Sequence, residues 1–168
     1  MARISLISYD QADDTVKKVM DGHEAKGYRI TNMKRTLLHS VTAFQSLEDG
    51  VYNLQEKLEE FLDKRTVVFF GYAVSKEDDC IVCSTYFAKI LEDWGIDFAT
   101  FAFTEVEELL IALARQIVNN KGKVSGEILD QLQARFSEKE IVEIVAFATM
   151  IVANNLFNNI LEVESELL

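Results

Sequence analysis

Proline is absent from this chain of 168 residues, and glycine occurs only seven times. Both residues interrupt helices, so the long helices of this chain are rarely interrupted. Basic residues are also few: 17 Lys and Arg stand against 28 Asp and Glu, which gives a net charge of −11. This balance argues against binding to nucleic acid or to an anionic membrane surface, because both need clustered cations. Solubility alone also accounts for such acidity.

Long hydrophobic runs are missing as well. The first ten residues contain no apolar stretch of signal-peptide length, and the longest uncharged apolar run, 144–157, is too short to span a membrane. We therefore expect a cytoplasmic protein without a membrane partner. With 49% apolar and 27% charged residues and no linker, the sequence predicts a single domain over 1–168.

What the sequence does contain is helical periodicity. Apolar residues at spacings of three and four give the segment 44–62 one buried face. The run Val67–Phe70 fits a helix or a strand, and we interpret it as a buried helix because its neighbours are helical. The predicted helices are 10–24, 32–39, 44–62, 65–75, 79–93, 104–119, 125–134 and a last one after Ser137, with capping boxes at Ser8–Gln11, Thr104–Glu107 and Ser137–Glu140 and a cap at Ser125.

The last helix is apolar nearly all round from Ile141 to Val152. A helix without a polar face is enclosed by its own domain or by neighbouring subunits. We predict both. The fold class predicted from the pattern is all-α, assembled as a homo-oligomer.

The two cysteines, Cys80 and Cys83, stand three residues apart at the start of a predicted helix. Such a pair can close into a disulfide and reopen, and a helix N-terminus favours the thiolate. The three carboxylates of residues 77–79 raise a thiol pKa if they face it. Zinc needs four ligands, and only His23 and His39 remain to complete a site. The alternatives are a shared metal site, a buried inert pair, or a redox dithiol; we favour the redox dithiol, with no metal or cofactor.

Several segments carry a family resemblance. They are Arg3–Ile7, Thr31–Ser40, Leu62–Arg65, Ala73–Ser75, Cys80-x-x-Cys83 and Asn155–Asn158. In order and spacing they resemble the carboxymuconolactone decarboxylase / alkyl hydroperoxidase D (AhpD-like) family over nearly the whole chain. The resemblance implies an AhpD-like helical domain that forms homo-oligomers, commonly trimers or hexamers.

The CxxC branch of that family implies a thiol-dependent peroxidase or disulfide oxidoreductase. In this branch the second cysteine attacks the peroxide and the first resolves the product, which makes Cys83 the nucleophile and Cys80 the resolving thiol. The implied partners are a small peroxide and a dithiol reductant, such as a lipoyl or thioredoxin-type protein. The decarboxylase branch generally lacks the pair, so lactone decarboxylation is not expected.

Two positions depart from the family pattern. The family's relay glutamate is replaced by Val68, and its relay histidine by Phe87. Tyr86 and His39 are the predicted substitutes, together with Glu77 or Asp79; their structural alternatives are an aromatic packing residue, a capping histidine and a solvated helix cap. The other functional hypotheses are a non-catalytic oligomeric or redox-sensing scaffold, and a drier pocket for a hydrophobic ligand.

Overall fold

The structure, a computed structural model, describes residues 2–166, and within them it contains helices and no strand. The helices are α1 (Asp14–Ala25), α2 (Asn32–Leu37), α3 (Val41–Phe44), α4 (Gly50–Leu58), α5 (Lys64–Glu77), α6 (Ile81–Asp93), α7 (Glu105–Asn119), α8 (Gly126–Arg135) and α9 (Glu138–Ile160). The all-α prediction is confirmed. Val67–Phe70 lies inside α5, as the helical interpretation required.

Helices α3 and α4 are joined by a π-helical turn, Gln45–Asp49, so residues 41–58 form one continuous helical stretch. The predicted helix 44–62 is therefore corrected: it begins earlier, ends earlier and contains one turn with an extra residue. Turns of this kind occur frequently at functional sites. Here the turn carries Glu48, whose side chain is buried.

Two of the three predicted capping boxes are confirmed. At Thr104 and at Ser137 both reciprocal hydrogen bonds are present. The box predicted at Ser8 is wrong, because the Ser8 hydroxyl bonds to the Gln11 side chain and only a 3-10 turn, Tyr9–Gln11, follows. The cap of α1 is Asp13 instead. Ser125 precedes α8 but its side chain makes no capping bond.

Helix α5 is the centre of the larger hydrophobic core and packs against α6, α7 and α9. Val68 and Phe87, the two replaced relay positions, both belong to this core. Phe87 packs tightly on Gly71, where an added Cβ would lie 2.5 Å from the ring. The aromatic ring thus fills the space that the glycine leaves between α5 and α6. A smaller apolar cluster joins the N-terminal helices to the segment after α9.

Helix α9 is longer than the apolar run that the sequence shows. With 23 residues it is long and apolar enough to cross a bilayer, and among residues 2–166 it is the one helix of which this holds. Length and composition are weak indications, because the core helix of a soluble protein has the same properties; α9 packs against α4 to α8. Its outer face, however, exposes Val142, Val145, Leu156 and Ile160.

His23 is buried in the smaller cluster among the rings of Tyr28, Phe44 and Tyr52, with centroids 5.1–5.3 Å away. Burial, and then the charges of Lys34 and Lys26, lower the pKa of His23 from 6.5 to about 4. Between these values the unfolded chain binds the proton and the folded chain does not.

Stability is therefore expected to fall as the pH drops from 6.5 to 4, and His23→Leu should make this decline shallower. Urea unfolding midpoints of both proteins, measured at intervals across this pH range, test the expectation. Parallel curves for the two proteins would contradict it.

Candidate active site around Cys83

Cys80 is the residue at which α6 begins. Asp79, just before it, has a φ of +49°, which turns the chain from α5 into α6. The Cys80 sulfur then accepts a hydrogen bond from the backbone N–H of Cys83 at 3.4 Å. Cys80 is fully buried, whereas Cys83, one turn further along, is half-buried. Both are free thiols, and the two residues differ in exposure.

Asn158, on α9, brings a buried amide to the two thiols. Its Nδ2 atom lies 3.2 Å from the Cys83 sulfur and 3.9 Å from the Cys80 sulfur, and 3.2 Å from the sulfur of Met33. An N–H donor favours the charged form of a thiol. The sequence included Asn158 only in the family resemblance and gave it no role. Its contact with the cysteines depends on the packing of α9 against α6.

The two thiols interact strongly. Hydrogen bonds from Cys83 and the start of α6 lower the pKa of Cys80 to about 7, against the effect of burial. The contact with Cys80 and burial raise the pKa of Cys83. The first deprotonation is therefore a property of the two thiols together, not of either one. The resulting negative charge is shared between the two sulfurs near the N-terminus of α6. Of the carboxylates before Cys80, Glu77 is engaged on α7 instead, where it accepts hydrogen bonds from Arg115 and Asn119.

Cys83 faces a cavity of about 90 Å³. The cavity is lined by residues of α2, the π turn, α4, α6 and α9 and by residues 165 and 166 after α9. Ser165 and Glu166 form part of its wall, and Ser165 is held by a 2.9 Å hydrogen bond with Thr85. Most of the wall is apolar, and it includes Val51, Val82, Phe87, Phe147 and Ile151.

A buried ion pair contributes two of the polar side chains of this wall. Lys34 Nζ lies 3.6 Å from Glu48 Oε2, with both side chains no more than 6% exposed. Lys34 also donates hydrogen bonds to the Arg29 carbonyl oxygen at 2.8 Å and to the Tyr52 hydroxyl at 2.9 Å. Burial raises the pKa of Glu48 and lowers the pKa of Lys34, and the attraction between the two opposes both shifts.

The predicted site residues are not all brought together. Tyr86 lines the cavity one turn after Cys83, and its phenol shares a hydrogen bond with Tyr52. His39 is placed elsewhere: its Nε2 lies 2.8 Å from the Ser5 carbonyl oxygen, and it is not part of the cavity wall. Within residues 2–166 there is no group of three or more His, Cys, Asp or Glu side chains suited to a metal ion.

The fold of this chain is similar to that of two solved structures. One is an uncharacterised peroxidase-related protein from Ralstonia eutropha JMP134, described as an alkylhydroperoxidase AhpD core; it has a TM-score of 0.71 and 13% identity over 98% of this chain and 92% of that one. The other is a protein of unknown function from Agrobacterium tumefaciens, named as a candidate antioxidant defence protein AhpD, with a TM-score of 0.62 and 19% identity over 76% of this chain and 92% of that one. No protein-family model and no curated protein matches the sequence. The chain therefore has the AhpD-core fold.

Proposed function

We propose that this chain is a thiol-dependent peroxidase of the CxxC branch of the AhpD-like family. The observation that carries the proposal is the placement of the pair: Cys83 lines a mainly apolar cavity, while Cys80 lies fully buried one helical turn before it. A nucleophile needs access to its substrate, and a resolving thiol needs access only to the nucleophile. The arrangement gives each cysteine the surroundings that its role requires.

The chemistry uses the shared proton of the pair. When that proton lies on Cys80, the Cys83 thiolate attacks the terminal oxygen of a hydroperoxide, the O–O bond breaks, and an alkoxide leaves to become an alcohol. Cys83 is then a sulfenic acid. Cys80 attacks its sulfur, water is lost, and the Cys80–Cys83 disulfide forms. A dithiol reductant of lipoyl or thioredoxin type restores both thiols by two exchange steps.

The proposal includes assembly as a homo-oligomer in the cytoplasm, a trimer or a hexamer. The outer face of α9 supports assembly, because it places four large aliphatic side chains in contact with solvent. Burial against other copies of the chain would remove that surface from water. The net charge of −11 agrees with a dissolved protein that binds neither nucleic acid nor anionic lipid.

Peroxide consumption with a dithiol reductant tests the proposal. We expect the wild-type chain to consume an organic hydroperoxide in the presence of dithiothreitol or dihydrolipoamide, and the double variant Cys80→Ser, Cys83→Ser to consume none above the uncatalysed rate. Intact mass after one equivalent of peroxide should show the loss of two hydrogens. A disulfide without turnover would support the redox-sensing alternative. If no disulfide forms either, the non-catalytic scaffold is supported, in agreement with the apolar packing of Val68 and Phe87.

A further inference from the structure

The buried pair of Lys34 and Glu48 needs a reason other than stability. Removing two charges from water costs free energy that their mutual attraction often fails to offset, so hydrophobic side chains of similar volume would serve the fold as well. This pair lies in the wall of the cavity that Cys83 faces. Charged groups retained at such cost beside a reactive thiol are candidates for a part in its chemistry.

Lys34 holds its position through three interactions. Its ammonium group donates to the Arg29 carbonyl and to the Tyr52 hydroxyl, and it lies 3.6 Å from Glu48. The ammonium group thus makes two hydrogen bonds and one ion-pair contact. The cation attracts the Glu48 carboxyl group and stabilises it whenever it loses its proton.

Resting on the proposed peroxidase function, we propose that Glu48 is the group that gives a proton to the departing alkoxide, and that Lys34 is its positioning residue. Glu48 and Cys83 line the same small cavity, so a hydroperoxide bound there occupies a space whose wall contains both groups. Burial raises the pKa of Glu48, which lets its carboxyl group hold a proton closer to neutral pH than an exposed glutamate does.

The proton balance closes over one cycle. The Cys83 thiolate and the neutral Glu48 react with the hydroperoxide to give a sulfenic acid, an alcohol and the Glu48 carboxylate beside Lys34. The Cys80 thiol then forms the disulfide, and its proton leaves with the hydroxide as water. After a dithiol has reduced the disulfide, the Cys83 thiol passes its proton to Glu48, and the starting state returns. The negative charge of ionised Glu48 disfavours the Cys83 thiolate. The two groups therefore tend to share one proton, so that one is protonated when the other is ionised.

Other ionisable groups face Glu48 and set its behaviour. Lys34 approaches from α2, Tyr52 from α4, and Tyr86 and Cys83 from α6; Asp49 is its neighbour on the π turn, and α9 contributes the neutral Asn154. Arg29 and Glu166 act on it through Lys34. Among these, the phenols of Tyr52 and Tyr86 are the other groups that could donate a proton to the alkoxide.

The test compares two oxidants that differ in their need for a proton. Cumene hydroperoxide releases a basic alkoxide, whereas an aromatic peracid releases a carboxylate that needs no acid. Glu48→Gln is expected to slow reduction of cumene hydroperoxide by about 10²-fold and to reduce the peracid at nearly the wild-type rate. Rates are compared at a pH at which iodoacetamide labelling shows Cys83 to be deprotonated in each protein. Glu60→Gln, which removes an exposed carboxyl group that lies outside the cavity, is the control and should change neither rate.

The outcomes separate this inference from the proposed function. A wild-type protein inactive with both oxidants contradicts the peroxidase proposal itself. An active wild type with Glu48→Gln unchanged, or slowed equally with both oxidants, overturns the role of Glu48. A loss confined to cumene hydroperoxide in Tyr52→Phe or Tyr86→Phe instead would assign the proton to that tyrosine and overturn the role of Glu48 as well. If Glu48→Gln does not fold, Glu48→Asp takes its place, with a smaller loss that must still be specific to cumene hydroperoxide.

Discussion

Replacing Cys83 by serine is expected to lower peroxide consumption by about 10³-fold or more, because the variant loses its only cavity-facing thiol. Cys80 cannot take over, since its side chain is fully buried at the start of α6. Cys80→Ser is expected to behave differently: it should reduce about one equivalent of peroxide and then stop with Cys83 as a sulfenic acid. The single variants therefore assign the two roles, which the double variant does not.

Trapping with dimedone, followed by peptide mass analysis, is the measurement that assigns them. The adduct is expected on Cys83 of Cys80→Ser and on neither residue of Cys83→Ser. The experiment distinguishes access from acidity. The low pKa of Cys80 would make Cys80 the nucleophile if acidity alone decided. An adduct on Cys80 of the Cys83→Ser variant, with peroxide consumption retained, would reverse the assignment and show that acidity outweighs access.

Lys34→Met is expected to lower the free energy of unfolding by about 3–5 kcal/mol at neutral pH. The substitution leaves the Glu48 carboxyl group buried without the cation that stabilises its ionised form, and among residues 2–166 no other residue that lines the cavity carries a positive charge. The double variant Lys34→Met, Glu48→Leu should recover most of this loss, because it removes both charges. Urea unfolding of the three proteins measures the effect.

The loss should depend on pH in a defined direction. Without Lys34 the pKa of Glu48 rises further above its ordinary value of 4.5, so the folded protein holds a proton that the unfolded chain has released. The stability deficit of Lys34→Met is then largest above the raised pKa of Glu48, shrinks as the pH falls through that pKa, and changes no further below about 4.5. Lys89→Met is the control: Lys89 pairs with Glu92 and Asp93 on the surface, where solvent screens the charges and a much smaller loss is expected. Equal losses in the two variants would contradict the special position of Lys34.

Local sequence patterns predicted most of the helices, and the reason is visible in particular residues. The capping bonds of Thr104 and Ser137 join positions three residues apart, so the sequence contains all of their information. The π turn at Gln45–Asp49 could not be predicted in this way. Its extra residue has no local signal in the apolar spacing, which continues through it as in an ordinary helix.

The candidate site shows the same division. The cysteine pair and Tyr86 follow each other at helical spacing, so the sequence predicted that they share one region of α6. Lys34, Glu48, Tyr52 and Asn158 come from separate elements, and only tertiary packing brings them to Cys83. The position of His39 also depends on packing, because the segment before α1 brings the Ser5 carbonyl oxygen within hydrogen-bond distance of its ring.

The π turn has a consequence for how such a site could change over time. Each residue of an α-helix turns the chain by about 100°. Deleting one residue between 45 and 49 would convert the π turn into ordinary α-helix. It would also rotate the side chains before the deletion by about that angle relative to those after it. Glu48 would leave the cavity while both thiols stayed in place. Insertion or loss of a single codon, rather than a substitution, could therefore connect the buried acid to the dithiol or disconnect it.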